Sequence, residues 1–211
     1  NQLTSLDVSN NLALIYLQCS SNHLTSLDVS NNLALTNLYC GSNQLTSLDV
    51  SNNTALTYLN CCANQITSLD VSNNLDLTAL ICYVNQITNL DLSGANALTF
   101  LDCKGNNLTT LDLRNGNNLN FFSNDYGFYY FSAIINPSLT CINVDDAAWS
   151  TANWNIPNWS IDPQHYFSAN CSTTSINEQT TNKELLKVID ILGGETKGTK
   201  NEVLFYIYDD G

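Results

Sequence analysis

The chain repeats a 21-residue pattern through its first half. The segment Asn22-His-Leu-Thr-Ser-Leu-Asp-Val-Ser returns from Asn43 and again from Asn64, and less strictly from Asn85 and Asn106. A fixed period of this length is typical of a solenoid, because each repeat can bury its apolar side only by stacking on its neighbours. The repeat therefore excludes most globular folds before any single residue is considered.

Each repeat has two similar halves. One reads Leu-x-x-Leu-x-Cys-x-x-Asn and ends at Asn43, and the other reads Leu-x-x-Leu-Asp-Val-x-x-Asn and ends at Asn53. Residues two apart on a strand point to the same side, so Leu38 and Cys40 are expected to face inward. The pattern predicts coils with two short strands each, stacked about 4.8 Å apart.

These motifs resemble the leucine-rich-repeat family in its bacterial nested form, over roughly residues 1–120. The resemblance implies a β-rich solenoid in which one Asn per coil bonds the backbone of its turn. A buried turn also needs such partners on physical grounds, and an amide has both a donor and an acceptor. The residues at this position are Asn22, Asn43, Asn64, Asn85 and Asn106. A second series, Asn11, Asn32, Asn53 and Asn74, breaks at Ala95.

The cysteines divide into two groups by spacing. One falls in every repeat, at Cys19, Cys40, Cys61, Cys82 and Cys103, and this regularity predicts buried free thiols rather than metal ligands. Cys62 is expected to point outward, either as a reactive thiol or as a partly covered one. Cys141 and Cys171 stand apart from the repeat, and we expect them to form a disulfide that closes the end of the solenoid, which would imply an oxidising compartment.

One aspartate also recurs in every coil, at Asp7, Asp28, Asp49, Asp70, Asp91 and Asp112. Solvated charges about 5 Å apart repel by only about 0.8 kcal/mol, so such a row is tolerable. The favoured interpretation is that each carboxylate bonds nearby backbone N–H groups. Calcium bridging between coils is the alternative, although no acidic calcium-loop motif supports it. No other metal and no other cofactor is expected.

The outward positions of the cysteine-containing strand do not repeat. They bring apolar and aromatic residues to one face of the predicted sheet: Tyr16, Tyr39, Tyr58, Ile81, Tyr83 and Phe100. Exposed aromatic side chains with interspersed amides are typical of surfaces that bind protein or glycan. The resemblance also implies that this strand face is the ligand surface. The alternative is a solvated sheet whose tyrosines have no partner.

The charge of the chain is strongly acidic, with 19 acidic and 6 basic residues and a net charge of −13. All six basic residues follow position 103. A surface without cations repels nucleic acid and anionic lipid, so neither is expected as a partner. No apolar run is long enough to span a membrane.

From Asn120 the period ends and aromatic residues become frequent, which predicts a cap over residues 121–171. The segment that begins at Asp145 is expected to form a short helix. Trp149, Trp154 and Trp159 are expected to form the core of the cap rather than a sugar platform. A polar segment, 172–182, is predicted to be a linker.

Residues 183–211 contain two predicted strands around a glycine-rich turn, with the motifs Val-Ile-Asp-Ile-Leu-Gly-Gly-Glu and Leu-Phe-Tyr-Ile-Tyr-Asp-Asp-Gly. They resemble the small β-sandwich-like C-terminal sorting domain of type IX secretion in Bacteroidetes, although Gly194 replaces the usual Arg. The resemblance implies recognition by the secretion machinery, export across the outer membrane, and a cell-surface or extracellular location.

These features together predict a surface-displayed or secreted binding or adhesion module that uses the aromatic strand face. The alternative is a structural accessory subunit docked on an outer-membrane protein. We do not expect an enzyme, because His23 and His165 lie in unrelated segments and the chain has no nucleophile elbow or phosphate loop.

Overall fold

The computed structural model describes residues 1–121, 131–154 and 161–171 in full, and the backbone of residues 185–190 and 204–208. The chain divides into two compact units, Asn1–Ser172 and Thr173–Gly211. The strands in chain order are β1 (Tyr16–Gln18), β2 (Asn37–Tyr39), β3 (Tyr58–Asn60), β4 (Ala79–Ile81), β5 (Asn89–Asp91), β6 (Phe100–Asp102), β7 (Thr110–Asp112), β8 (Phe131–Ser132), β9 (Cys141–Asn143), β10 (Tyr166–Ser168), β11 (Leu185–Asp190) and β12 (Leu204–Tyr208). One helix, α1 (Ala147–Asn153), follows β9.

The first unit is a β-solenoid with a continuous parallel sheet on one side. Its strand order is β1-β2-β3-β4-β6-β8. Neighbouring strands pair in register, so that Leu17, Leu38 and Leu59 align. These leucines and the recurring cysteines are buried along the axis of the solenoid. The predicted solenoid and its inward-facing leucine and cysteine rows are confirmed.

The prediction of two strands in every coil is correct only from β5 onward. A second parallel sheet has the order β10-β9-β7-β5, whereas the Asp-Val segments of residues 1–71 form no strand. In the second sheet Asn89 Oδ1 accepts bonds from the hydroxyls of Thr109 and Thr110, at 3.2 and 2.8 Å. The preceding coil has Ser68 in place of Asn89, and no bond of this kind joins coils within residues 1–71.

The ladder asparagines join each coil to the one before it. Asn64 Nδ2 donates to the carbonyl oxygens of Cys40 at 3.1 Å and Cys61 at 3.0 Å, and Asn64 Oδ1 accepts from Leu45 N at 2.9 Å. Two of these partners belong to the preceding coil. Because the amide is buried, it replaces water as the partner of backbone groups in the turn.

The residue before each ladder asparagine turns the chain in the left-handed conformation. Gly105 takes this position with a φ of 63°, but Val84 has 52° and Ile135 has 59°. A positive φ is unfavourable for a β-branched residue, so the bonds of the following asparagine must compensate for local strain.

The solenoid continues beyond the last regular repeat. Asn136 lies 30 residues after Asn106 rather than 21, since 136 − 106 = 30. It nevertheless occupies the next ladder position, because its Oδ1 accepts from Leu108 N at 3.1 Å and its Nδ2 donates to Cys103 O at 3.2 Å. Strands β8, β9 and β10 extend both sheets past residue 120.

An aromatic cluster fills the end of the solenoid. The Trp154 ring is 4.5 Å from that of Phe131 and 5.7 Å from that of Phe121, and Trp149 packs against Trp154 at 5.6 Å. Trp154 is only 1% exposed, which excludes it as a sugar platform. Trp159 lies outside the described residues.

Two further contacts hold the segments that follow. Helix α1 begins after Asp146, whose carboxylate accepts from Trp149 N at 2.9 Å. Cys141 and Cys171 form a disulfide, with their Cα atoms 5.7 Å apart. The disulfide therefore ties the start of β9 to the last described residue of the first unit.

The second unit is described only through the backbone of its two strands. β11 and β12 form an antiparallel pair, with Asp190 opposite Leu204 and Leu185 opposite Tyr208. The two strands overlap the two predicted strand segments. The rest of the predicted sorting domain, and the predicted linker after Cys171, lie outside the described residues. Within the part of the chain that is described, no helix is long and apolar enough to cross a membrane.

Each recurring aspartate caps its own turn. Oδ1 of Asp7, Asp28 and Asp49 accepts from the backbone N–H two residues later at 2.9 Å. This local bonding confirms the favoured interpretation of the row. Bonds from the hydroxyl and then the backbone N–H of the following serine lower the pKa of these three carboxyl groups.

The asparagine ladder leads to a first prediction. Asn64→Ala leaves Leu45 N and two buried carbonyl oxygens without their partner, so the free energy of unfolding should fall by about 2–3 kcal/mol. Urea denaturation followed by circular dichroism measures the change. Gln65→Ala is the matched control, because Gln65 follows Asn64 in the sequence and its side chain is exposed. This variant should change the free energy of unfolding by less than about 0.5 kcal/mol. Equal stability of the two variants would contradict a ladder that holds the coils.

The aspartate row leads to a second prediction, on pH. A carboxyl whose pKa is lowered by folding stabilises the fold above its unfolded pKa, and that contribution is lost as the pH falls through the folded value. The free energy of unfolding should therefore decrease as the pH falls below 3.8, the ordinary pKa of an aspartate side chain. Asp28→Asn combined with Asp49→Asn should flatten this acid limb in urea midpoints measured across acidic pH. An unchanged limb in the double variant would show that these carboxyl groups do not contribute.

Candidate functional site

The outward side of the six-stranded sheet presents aligned rows of side chains. Register pairing places Tyr16, Asn37, Tyr58, Ala79 and Phe100 in one row, and Gln18, Tyr39, Asn60, Ile81 and Asp102 in the next. The alternation of the strands produces this surface, because the leucine at the centre of each strand points inward. We call these two rows, with Cys62, Tyr83 and Lys104 beside them, the aromatic face.

Three tyrosines of the aromatic face are in direct contact. Tyr39 lies between Tyr16 and Tyr58, with ring centroids 5.2 Å and 4.7 Å away. The Tyr39 and Tyr58 rings are stacked, with 27° between their planes. The stack crosses β1, β2 and β3 in a zigzag, since Tyr16 and Tyr58 belong to one row and Tyr39 to the neighbouring row.

The three tyrosines of the stack differ in exposure. Tyr16 is 53% exposed, whereas Tyr39 and Tyr58 are half-buried. Partial burial raises the pKa of Tyr58, and the adjacent Tyr39 hydroxyl adds to the effect. The three rings of the stack are therefore held in one arrangement by contact with each other.

Tyr83 belongs to a separate group on the same face. The neighbouring Cys62 thiol, followed by partial burial and the charge of Asp102, raises the pKa of Tyr83 to about 12. Lys104 Nζ lies 4.6 Å from the centre of the Tyr83 ring and 2.9 Å from Asp102 Oδ2. A cation thus already rests on one ring of this face.

Gly41 makes room for the Cys62 side chain. A Cβ atom at Gly41 would lie 2.8 Å from Cys62 Sγ and 3.0 Å from Asn60 Oδ1, so any larger residue would require the Cys62 side chain to shift. Cys62 is only 6% exposed, so of the two predictions for this thiol the covered one is confirmed. Cys62 is also a free thiol, as are the five ladder cysteines.

The predicted site residues thus share one sheet face but do not form one cluster. Tyr39 touches both Tyr16 and Tyr58, and Tyr83 packs with Lys104 near Cys62. Ile81 and Phe100 are half-buried on β4 and β6 of the same face. Sequence reasoning did not include Gly41, Cys62, Asp102 or Lys104 among the site residues. Their positions in the outward rows could have identified them. The contact between Gly41 and the Cys62 thiol, however, leaves no pattern in the sequence.

The buried thiols have no chemical role visible in this geometry. Burial raises the pKa of Cys19 to about 11 and that of Cys61 to about 12. A neutral thiol is a poor nucleophile and a poor metal ligand. Within the described residues no group of three or more His, Cys, Asp or Glu side chains is placed to hold a metal ion.

Comparison with known proteins identifies similar solved structures only. No protein-family profile and no curated protein matches the chain. The functional domain of InlJ from Listeria monocytogenes, which includes a cysteine ladder, matches with a TM-score of 0.54 and 33% identity over 67% of this chain and 33% of that one. An internalin, inlF, from Listeria monocytogenes matches with a TM-score of 0.49 and 23% identity over 69% of this chain and 41% of its own. The leucine-rich-repeat protein LIC12759 from Leptospira interrogans matches with a TM-score of 0.48 and 22% identity over 77% of this chain and 46% of its own.

The chain spans less than half the length of each of these proteins. The likeness to the InlJ domain includes the recurring buried cysteine, which the present chain repeats at every coil of its regular part. Together with the 21-residue period and the asparagine ladder, this likeness supports a leucine-rich-repeat β-solenoid that is similar in fold to the InlJ domain.

Proposed function

We propose that the chain is a cell-surface or secreted binding or adhesion module that recognises a protein or glycan through the aromatic face. One observation carries the proposal: Tyr16, Tyr39 and Tyr58 form a stack on the outward side of an otherwise repetitive sheet. The coils require no aromatic residue there, since the same row also contains Asn37 and Ala79.

The stack has the properties of a binding surface. Tyrosines already held by each other lose little conformational freedom when a partner docks, and tyrosine is among the residues that contribute most to interface energy. Asn37 and Asn60 lie beside them and can donate or accept hydrogen bonds. The InlJ domain, described as a functional domain, supports the proposal because it shares this fold.

The location is part of the proposal. The disulfide between Cys141 and Cys171 is favourable in an oxidising environment outside the cytoplasm. We also propose that residues 183–211 are recognised by type IX secretion machinery, which would export the chain across an outer membrane. The motifs of this segment support that address, and it does not depend on the ligand of the aromatic face.

The third prediction tests the aromatic face. The variant Tyr16→Ser, Tyr39→Ser, Tyr58→Ser should lose binding to a glycan array or to immobilised surface-protein extracts by at least about 30-fold, since a single hot-spot residue contributes about 2 kcal/mol or more. Surface plasmon resonance against each positive ligand measures the loss. Circular dichroism checks that the coils remain folded.

A matched control uses a tyrosine remote from the stack. Tyr166→Ser removes an exposed tyrosine of β10, in the second sheet, and should leave every interaction unchanged. Full binding by the triple variant would refute the proposal. Co-purification of that variant with an outer-membrane component would favour the accessory-subunit alternative.

A further inference from the structure

In the regular coils the backbone N–H of a ladder asparagine donates to the coil that follows. The N–H of Asn22 donates to Ser42 O, and that of Asn64 donates to Val84 O, each at 3.2 Å. Both partners in these bonds are peptide groups, which satisfy each other without any side chain. Because peptide groups do not titrate, these bonds between coils do not depend on pH.

At the last ladder position, side chains of a turn take the place of the following coil. Asn136 N donates to Asp162 Oδ2 at 3.1 Å. The Asn136 carbonyl oxygen lies 3.3 Å from Gln164 Nε2, which donates to it, and 3.4 Å from His165 Nε2. The three side chains belong to residues 162–165, directly before β10. This junction therefore contains two ionisable groups where the earlier ones have peptide groups.

The bonds of His165 require an uncharged imidazole. Its Nδ1 accepts the backbone N–H of Asp162 at 3.2 Å, so the ring proton must be on Nε2, which faces Asn136 O. The side chain is completely buried, and water cannot replace either bond. A second proton on Nδ1 would point at the Asp162 N–H, which is also a donor. Protonation of the ring therefore breaks the bond that closes the turn.

The charges around the ring do not reverse this preference. Asp162 Oδ2 lies 3.7 Å from His165 Nε2 and attracts a protonated ring. Residues 133–144, which form the ladder turn and β9, have no acidic or basic side chain, and neither does α1. Burial lowers the pKa of His165, and the Asn136 carbonyl group and the Asp162 charge oppose it only in part. The folded chain thus favours the neutral ring.

The turn holds the strand that covers the aromatic cluster. β10 begins directly after His165, and its Phe167 ring lies 5.8 Å from that of Trp154. Phe167 and Trp154 are both buried, so displacement of β10 would expose them. The disulfide between Cys141 and Cys171 lies beyond the other end of β10. It would keep a displaced strand attached to the solenoid.

We propose that residues 162–165 form an acid-operated latch for the end of the solenoid. At neutral pH the uncharged His165 ring holds β10 against the last ladder position. In mild acid its protonation releases β10 and exposes the aromatic cluster around Trp154, while the disulfide allows the strand to return when the pH rises. The latch uses no residue of the aromatic face and does not rest on the function proposed for it.

The fourth prediction concerns the pH at which the latch opens. The folded pKa of His165 is below its ordinary value of 6.5, so its contribution to stability is present above 6.5 and is lost as the pH falls through the folded pKa. This loss begins at a higher pH than that of the aspartate row. In NMR titrations the His165 ring signals should titrate at a lower pH in the folded chain than in the chain unfolded by urea.

Hydrogen exchange of the unmodified chain locates the opening. The N–H groups of Tyr166 and Val144 donate to Thr140 O and Ser168 O, at 2.8 and 2.9 Å, and hold β10 in place. Between about pH 7.5 and about pH 5 their protection should decrease at least about fivefold, after correction for the intrinsic exchange rate. The Cys61 N–H, in an inner coil, should keep its protection. Tryptophan fluorescence should shift to longer wavelength with the same midpoint.

Two histidine variants separate the latch from a general effect of acid. His165→Gln removes the titrating group but keeps a donor and an acceptor, so its fluorescence and exchange should not respond to mild acid. His23→Gln is the matched control, because His23 is exposed, and it should respond as the unmodified chain does. If His165→Gln does not fold, the exchange of the unmodified chain remains an independent test.

Three results would overturn the latch. The first is an unchanged acid response in folded His165→Gln. The second is full protection of the Tyr166 and Val144 N–H groups in mild acid. The third is a His165 ring that titrates at the same pH in the folded and the unfolded chain.

Discussion

The amide of the ladder asparagine is the interaction on which the rest of the solenoid depends. It bonds the backbone of its own turn and of the preceding coil, as Asn64 does with Cys61 O and Leu45 N. Without these bonds the turn would bury peptide groups that water cannot reach, and the residue before it would have no compensation for its left-handed backbone. The parallel sheet, the buried cysteines and the aromatic face all follow from coils held in register at this point.

Periodicity was sufficient to predict the solenoid but not the pairing of every strand. The inward rows follow from two-residue alternation, and so does the outward position of Tyr16, Tyr39 and Tyr58. The start of the second sheet could not be predicted from the repeat, because the two halves of each repeat have similar sequences in every coil. The hydrogen bonds between coils that involve Asn89 begin only at β5. The continuation through Asn136 was also hidden, since the step to it is longer than the period.

In the candidate site too, the sequence pattern predicts which residues share a face, whereas their side-chain contacts depend on packing. Its tyrosines were assigned to one face from sequence, but the stack depends on side-chain directions that no spacing specifies. Cys62 was predicted to point outward, and it does leave the core row, yet Gly41 and Tyr83 cover it. Ala95 breaks the second asparagine series, but Asn115 Nδ2 donates to the Ala95 carbonyl oxygen at 3.1 Å, a contact that the 21-residue period does not predict.

The buried thiols have a consequence for how the chain must be made. Six free cysteines and one disulfide belong to the same unit, and burial leaves the six inert only after the coils have closed. In an unfolded chain any of them could react with Cys141 or Cys171, because thiol–disulfide exchange is governed by access and by the thiolate fraction. Correct pairing of Cys141 with Cys171 therefore requires the coils to form faster than the ladder cysteines are oxidised. The short sequence distance between successive coils favours closure, since nearby segments meet sooner than remote ones.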